Sequence, residues 1–247
     1  KVYKFVLVKF RYIRVTIISH LIHFQQIYLS PSNKSLNLSH KPVPNKPIHS
    51  RQVGAQTGKS HTISALLLHY ALTNPNTNIG IVGPSWRQTK LIIKNINGFL
   101  QKLPKTAYKK PQKTSVALTN NSNIEAYPNN PETIRGPKLH IVYADEFNFI
   151  PNDEELYDAM LFTLGTTNGK FVCTSTPWRT DSIFYKIFHD PTYNDYAKTH
   201  VTWQQALEPD GPLKQQILNR IKKQLEGDPS RWKREMEADW AENENAW

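Results

Sequence analysis

Residues 1–124 contain no aspartate and no glutamate, although they carry 18 lysines and arginines. All 20 acidic residues fall in residues 125–247, against 13 basic ones, so the net charge of +11 originates in the first half. A basic stretch with no acids of its own favours contact with a polyanion, most simply nucleic acid; the plainer alternative is a solvated lysine-rich surface. Cysteine is almost missing too. Cys173 is alone, which excludes an internal disulfide and fits a reducing compartment. The nine histidines show no Cys/His spacing of a zinc site. Long apolar runs are also lacking: Lys4, Lys9, Arg11 and Arg14 interrupt the opening stretch Lys1–Phe24, which argues against a membrane span and against a signal peptide.

What is present suffices for a folded core. The chain has 247 residues, 38% of them hydrophobic, with six Trp and ten Phe, and its mean hydropathy is −0.56. That is room for one large α/β domain plus an appendage. The chain opens on Lys rather than Met, and is read as a fragment or a processed chain. Residues 1–29 suggest one or two strands, with Gln25 or Gln26 as a candidate adenine-reading side chain. Residues 30–47, rich in Ser, Asn, Pro and Lys, read as a linker.

The stretch Gly54-Ala55-Gln56-Thr57-Gly58-Lys59-Ser60 has the chemistry of a phosphate-binding loop. Glycines let backbone N–H groups turn toward a phosphate, Lys59 supplies a point charge, and the Ser60 hydroxyl can ligate Mg²⁺. Its spacing is one residue shorter than the usual Gly-x4-Gly-Lys-[Ser/Thr], and a Gly-rich surface loop is the competing reading. A helix from Ser60 to about Leu72 would place bound phosphates at its N-terminus. The strand expected to feed the loop, Pro47-Ile48-His49-Ser50, is short and poor in apolar residues.

Downstream, apolar runs alternate with helical periodicity. Ile79–Val82 reads as a strand, Arg87–Leu103 as an amphipathic helix, Lys105–Lys113 as a basic loop and Ser115–Tyr127 as two short strands. That rhythm predicts an α/β fold with a mostly parallel central sheet and helices on both faces. Leu139-His140-Ile141-Val142-Tyr143-Ala144 is a buried-strand run ending in Asp145 and Glu146. At the carboxyl end of such a strand, Asp145 can hold Mg²⁺ and Glu146 can polarise the water that attacks a γ-phosphate. A helix cap is the alternative use of the pair. The next strand, Lys170–Cys173, ends in Thr174-Ser175-Thr176-Pro177, whose hydroxyls can contact a γ-phosphate and report nucleotide state, or can form an ordinary strand-to-turn junction. Arg135, in Thr133-Ile134-Arg135-Gly136, can reach a phosphate in its own subunit or a neighbour's; a bond to nearby carbonyls is the alternative.

With these pieces in order, the chain resembles the ATPase domain of the viral large terminase subunit over about residues 50–245. The likeness rests on Gly54…Gly58-Lys59-Ser60, Ile124–Asn129 with Thr133–Gly136, Val142–Pro151, Thr174–Pro177, Phe184-Tyr185, Trp203 and Trp232…Trp240. The resemblance implies a RecA-like P-loop NTPase that uses ATP and Mg²⁺ to drive double-stranded DNA into a procapsid. By the same resemblance, Gly54, Gln56, Thr57, Gly58, Lys59 and Ser60 bind nucleotide, and Ser60 and Asp145 serve the metal. Glu146 and Arg135 are catalytic, Arg135 as an arginine finger, and Thr174, Ser175 and Thr176 couple hydrolysis to movement. Implied partners are the portal protein, the small terminase subunit and further copies in a ring, in the host cytoplasm.

Two departures accompany the likeness, besides the weak strand before the loop. The loop carries Ala55-Gln56 where the family has an arginine, with Arg51 as a displaced substitute. The chain also ends about where an RNase H-like nuclease domain would begin, so ATP hydrolysis without DNA cleavage is expected. The implied division is a basic extension and linker (1–47), a P-loop ATPase core (48–203) and a helical segment (204–247), with helices read over Leu213–Leu225 and from Pro229 to Asn243. A helicase-like ATPase and a non-catalytic DNA-binding remnant are the alternatives.

Overall fold

In a computed structural model, residues 49–53 and 58–241 are described, the first five as backbone only. The readings placed on residues 1–48, Gln25 and Gln26 among them, and on Gly54, Ala55, Gln56 and Thr57, lie outside the described residues. The elements in chain order are β1 (His49–Val53), α1 (Lys59–Thr73), β2 (Asn78–Val82), α2 (Trp86–Leu100), β3 (Ser115–Ala117), β4 (Asn123–Ala126) and α3 (Pro131–Ile134). Then come β5 (Ile141–Asp145), α4 (Asp153–Leu164), β6 (Lys170–Ser175), α5 (Ile183–His189), β7 (Ala197–Val201), α6 (Trp203–Ala206), α7 (Gln215–Gln224) and α8 (Pro229–Glu235).

The seven strands form one sheet in the order β3-β4-β2-β5-β6-β1-β7. Every pairing is parallel except β3 with β4. Parallel strands need crossovers, and helices supply them, so both faces are covered. The pleat sorts the side chains. Ile79 and Ile81 of β2, with Ile141 and Tyr143 of β5, pack beneath α1 and α2. The alternate residues Val82, Val142 and Ala144, with Phe171 and Cys173 of β6, pack beneath α4 and α5. This is the α/β, mostly parallel fold that the sequence predicts.

The strand that leads to the phosphate loop lies deeper than its composition suggests. β1 runs through Val53, between β6 and β7 and parallel to both, with His49 opposite Val172 and Ala197. A full main-chain ladder on both edges holds it where apolar mass in the sequence does not. α1 begins at Lys59 because Gly58 takes the left-handed conformation (φ 78°), which a side chain disfavours, and its carbonyl accepts the Thr62 N–H at 3.0 Å. Ile63, Ser64, Leu67, Leu68, Ala71 and Leu72 form its buried stripe.

The C-terminal helices are shorter than the periodicity predicts. The expected helix from Pro229 toward Asn243 ends at Glu235, since Met236 caps it and Ala238 sits at φ 53°. The chain then turns so that Trp240 packs against Phe184 and Phe188, the latter at 5.6 Å between ring centres. Ala206, Leu213, Leu218 and Met236 make a small separate core beside Trp203 and Trp232. Among the described residues no helix is long and apolar enough to cross a membrane.

Candidate active site

Three elements deliver their ends to one place. α1 starts with Lys59, β5 finishes at Asp145 with Glu146 following, and β6 finishes at Thr174 and Ser175 with Thr176 following. Because β5 and β6 pair with Asp145 opposite Thr174, the two strand ends stand level. An open cleft of about 390 Å³ lies there, lined by Lys59, Pro84, Gln88, Glu146, Phe149, Thr176 and Glu235. This is the carboxyl edge of a parallel sheet, where ligands sit in open α/β folds.

The Lys59 ammonium forms an ion pair with Glu146 Oε1 and donates a hydrogen bond to Thr176 Oγ1 at 3.3 Å. The other carboxylate oxygen, Glu146 Oε2, accepts the Thr176 N–H at 3.3 Å and the Ser175 hydroxyl at 3.4 Å. Glu146 itself is in the left-handed region (φ 45°, ψ 48°), uncommon for a residue with a side chain and the kind of local strain that gathers at functional sites. Its conformation lets the chain leave β5 and fold at once into the turn Phe147–Phe149, whose last N–H donates to the Glu146 carbonyl at 2.9 Å.

Asp145 lies deeper and is 5% exposed. Its Oδ1 accepts the Tyr143 hydroxyl at 2.5 Å and the Thr174 hydroxyl at 3.3 Å, while Tyr143 and Thr174 are 2.7 Å apart at their oxygens. Burial pushes the Asp145 carboxyl above its usual range, with Glu146 adding to the rise; the Tyr143 hydrogen bond and the Lys59 charge oppose it. The same burial, and the neighbouring Asp145 charge, push the Tyr143 phenol well above its usual value.

Residues 52–247 match the family described as terminase large subunit, T4likevirus-type, N-terminal. The chain belongs to that family. Solved structures give this terminase chain the same fold. The large terminase ATPase domain of Thermus phage P74-26 superposes with a TM-score of 0.64 at 18% identity, covering 88% of this chain and 97% of that one. The HK97 bacteriophage large terminase gives 0.67 at 17% identity, over 79% of this chain and 47% of the other. A large terminase from a thermophilic bacteriophage, in complex with ATP-γ-S, gives 0.64 at 14% identity, over 82% and 50%. The terminase chain thus spans about half the length of those last two large subunits.

The residues present suit a divalent cation held mainly by a substrate's phosphates. Asp145 Oδ2 and Ser60 Oγ make no hydrogen bond among the described residues, which leaves two hard oxygen donors uncommitted. No group of three or more His, Cys, Asp or Glu side chains is placed to hold a metal among the described residues. Mg²⁺ is commonly bound through one or two protein oxygens plus substrate phosphate and water.

Of the residues singled out in the sequence, Lys59, Glu146, Ser175 and Thr176 touch one another, and Asp145 and Thr174 meet just beneath them. Arg135 does not join them. It follows α3 and is exposed, absent from the cleft lining and without an ion-pair or hydrogen-bond partner for its guanidinium among the described residues. Sequence reasoning passed over Tyr143, whose ring reads as part of an apolar run, and Asn148. The Asn148 amide, oriented to satisfy its neighbours, donates to Ser182 Oγ (2.7 Å) and accepts the Trp178 N–H (2.7 Å), while its own N–H donates to Ser175 Oγ (3.1 Å). A two-residue offset from Asp145 was the available signal for Tyr143, because it places both side chains on one face.

Proposed function

We propose that this chain is the ATP-hydrolysing part of a DNA-packaging terminase, using Mg²⁺-ATP to move double-stranded DNA into a viral procapsid. The observation that carries the reading is the junction of Lys59, Glu146 and Thr176, which joins the loop lysine, the strand-end acid and the hydroxyl segment in one cleft. The thermophilic-bacteriophage terminase with the same fold has been solved in complex with ADP and with ATP-γ-S, which suits a nucleotide here.

Each residue has a task in that reading. A triphosphate brings denser negative charge than a carboxylate, so Lys59 exchanges Glu146 for the phosphates. Glu146 Oε1 is then released, while Oε2 stays held by the Thr176 N–H and the Ser175 hydroxyl, so Oε1 takes the proton of the attacking water. Asp145 and Ser60 hold the Mg²⁺, which when bound neutralises charge on the phosphate oxygens. Gly54, Gln56, Thr57 and Gly58 complete the nucleotide-binding set in this reading. Thr176 contacts both Lys59 and Glu146, so with Thr174 and Ser175 it passes the exchange on to the segment after β6. Arg135, outside this cleft, acts on the nucleotide of a neighbouring copy in a ring.

The DNA-facing surface is the basic first half. Among the described lysines and arginines of 58–124, Lys59 is the one in an ion pair. Lys102, Lys105, Lys109, Lys110 and Lys113 are exposed and un-neutralised between α2 and β3. Portal protein and small terminase subunit are the expected partners, at the procapsid in the host cytoplasm. Residues 1–47, 48–203 and 204–247 act as extension, ATPase core and helical arm.

The test is ATP turnover by this chain with Mg²⁺ or EDTA, with and without duplex DNA at fixed salt. Turnover that needs Mg²⁺ and rises with DNA is expected, and Lys59→Ala should abolish it. Absence of Mg²⁺-dependent turnover and of nucleotide binding would refute the reading.

A further inference from the structure

Tyr143 is 0% exposed, on a strand whose five residues are all buried. Phenylalanine would fill nearly the same space without the cost of burying a hydroxyl, so packing alone does not account for tyrosine. The hydroxyl is fully engaged: it donates to Asp145 Oδ1 at 2.5 Å and lies 2.7 Å from Thr174 Oγ1. Strand geometry sets this up. Tyr143 and Asp145 are two residues apart on β5, and Thr174 is level with Asp145 on β6, so all three reach the α1 face at the sheet's carboxyl edge.

The consequence falls on one carboxylate. Both hydroxyls address Oδ1, and Oδ2 takes no hydrogen bond from the described residues. Without the phenol, Oδ1 would keep only the longer Thr174 contact at 3.3 Å, and the carboxylate could rotate about its terminal torsion. We propose that Tyr143 is a positioning residue for the divalent cation. Its hydroxyl pins Asp145 through Oδ1, presents Oδ2 to the cation, and ties that carboxylate to Thr174 at the end of β6. Through this tie, any shift of Asp145 on cation binding is felt by the strand that leads into Thr176, independently of contacts to the nucleotide. The inference rests on Asp145 being the cation-binding acid proposed above.

The experiment measures Mn²⁺ binding, by loss of the free-ion spin signal, to the chain saturated with a non-hydrolysable ATP analogue. Tyr143→Phe should weaken Mn²⁺ binding about tenfold, the low end of what removal of a partner supporting a metal ligand does. Its melting temperature, and its nucleotide affinity in EDTA, should stay near wild type. Thr174→Val should weaken Mn²⁺ binding less, and the double variant should lose little more than Tyr143→Phe alone. Asp145→Asn separates the two claims. If it loses Mn²⁺ while folded Tyr143→Phe keeps wild-type affinity, the positioning role is overturned and the site stands. If Asp145→Asn itself keeps wild-type affinity, the cation assignment fails. Should Tyr143→Phe not fold, Thr174→Val decides instead, and unchanged affinity there overturns the inference.

Discussion

Asn148 is fully buried between the turn after β5 and the segment after β6. Its amide joins the turn after β5 to Trp178, Arg179 and Ser182 after β6, and its N–H holds Ser175. Glu146 and Thr176 therefore keep their spacing through a neighbour that touches neither the cleft nor a ligand. Removing the amide in Asn148→Ala leaves the Trp178 and Arg179 N–H groups without that acceptor. A loss of about 2–3 kcal/mol in unfolding free energy is expected, measured by urea titration. A variant as stable as wild type would show that the two turns are held by other contacts.

At the level of elements, helix α8 gives a pH-dependent check. Asp228 caps it, accepting the Arg231 N–H and the Ser230 hydroxyl, each at 2.9 Å. The Arg231 main-chain bond first, and then the Ser230 bond, hold the Asp228 carboxyl below its usual range. A carboxyl depressed in the folded state binds its proton more weakly than in the unfolded chain, so its contribution is complete above about pH 4 and is lost as pH falls through the folded value. Asp228→Ala should accordingly lower the melting temperature at pH 6, and the gap to wild type should close at the acid end of that window. A gap that stays constant with pH would contradict the cap's ionic character.

The elements also show what the sequence discloses and what it hides. β2 and β5 were legible because an unbroken apolar run is what burial on both faces demands, and α2 because its apolar residues recur at helical spacing. β1 was scarcely legible. His49-Ser50-Arg51-Gln52-Val53 has one aliphatic residue, and its place between β6 and β7 comes from ladder bonds that no side-chain pattern encodes. Lys59, Asp145 and Glu146 were found because charge interrupts apolar periodicity at element ends. Tyr143 escaped because its hydroxyl is carried on a ring that passes for core. The end of α8 was missed because Trp240's packing on α5, a tertiary contact, overrides a helical sequence.

The whole molecule is polarised. The carboxyl edge of the sheet carries the cleft, and the region between α2 and β3 carries exposed lysines with no acid of residues 58–124 beside them. If those lysines meet DNA phosphates, replacing Lys105, Lys109, Lys110 and Lys113 by Ala should weaken duplex binding at every sequence. It should also flatten the dependence of log affinity on log salt by about 0.9 per contact removed. An unchanged slope would move the DNA contact to another face.

The proposed function requires that Lys59 and Glu146, which pair across the cleft, part so that one nucleotide can come between them. Glu146→Gln keeps the size of the side chain and removes its basicity, so single-turnover ATP hydrolysis by that variant, paired with nucleotide binding on the same sample, tests it most directly. Wild-type or tighter ATP binding is expected, with hydrolysis reduced by about a hundredfold or more. Undiminished hydrolysis would contradict it, and so would binding lost together with hydrolysis.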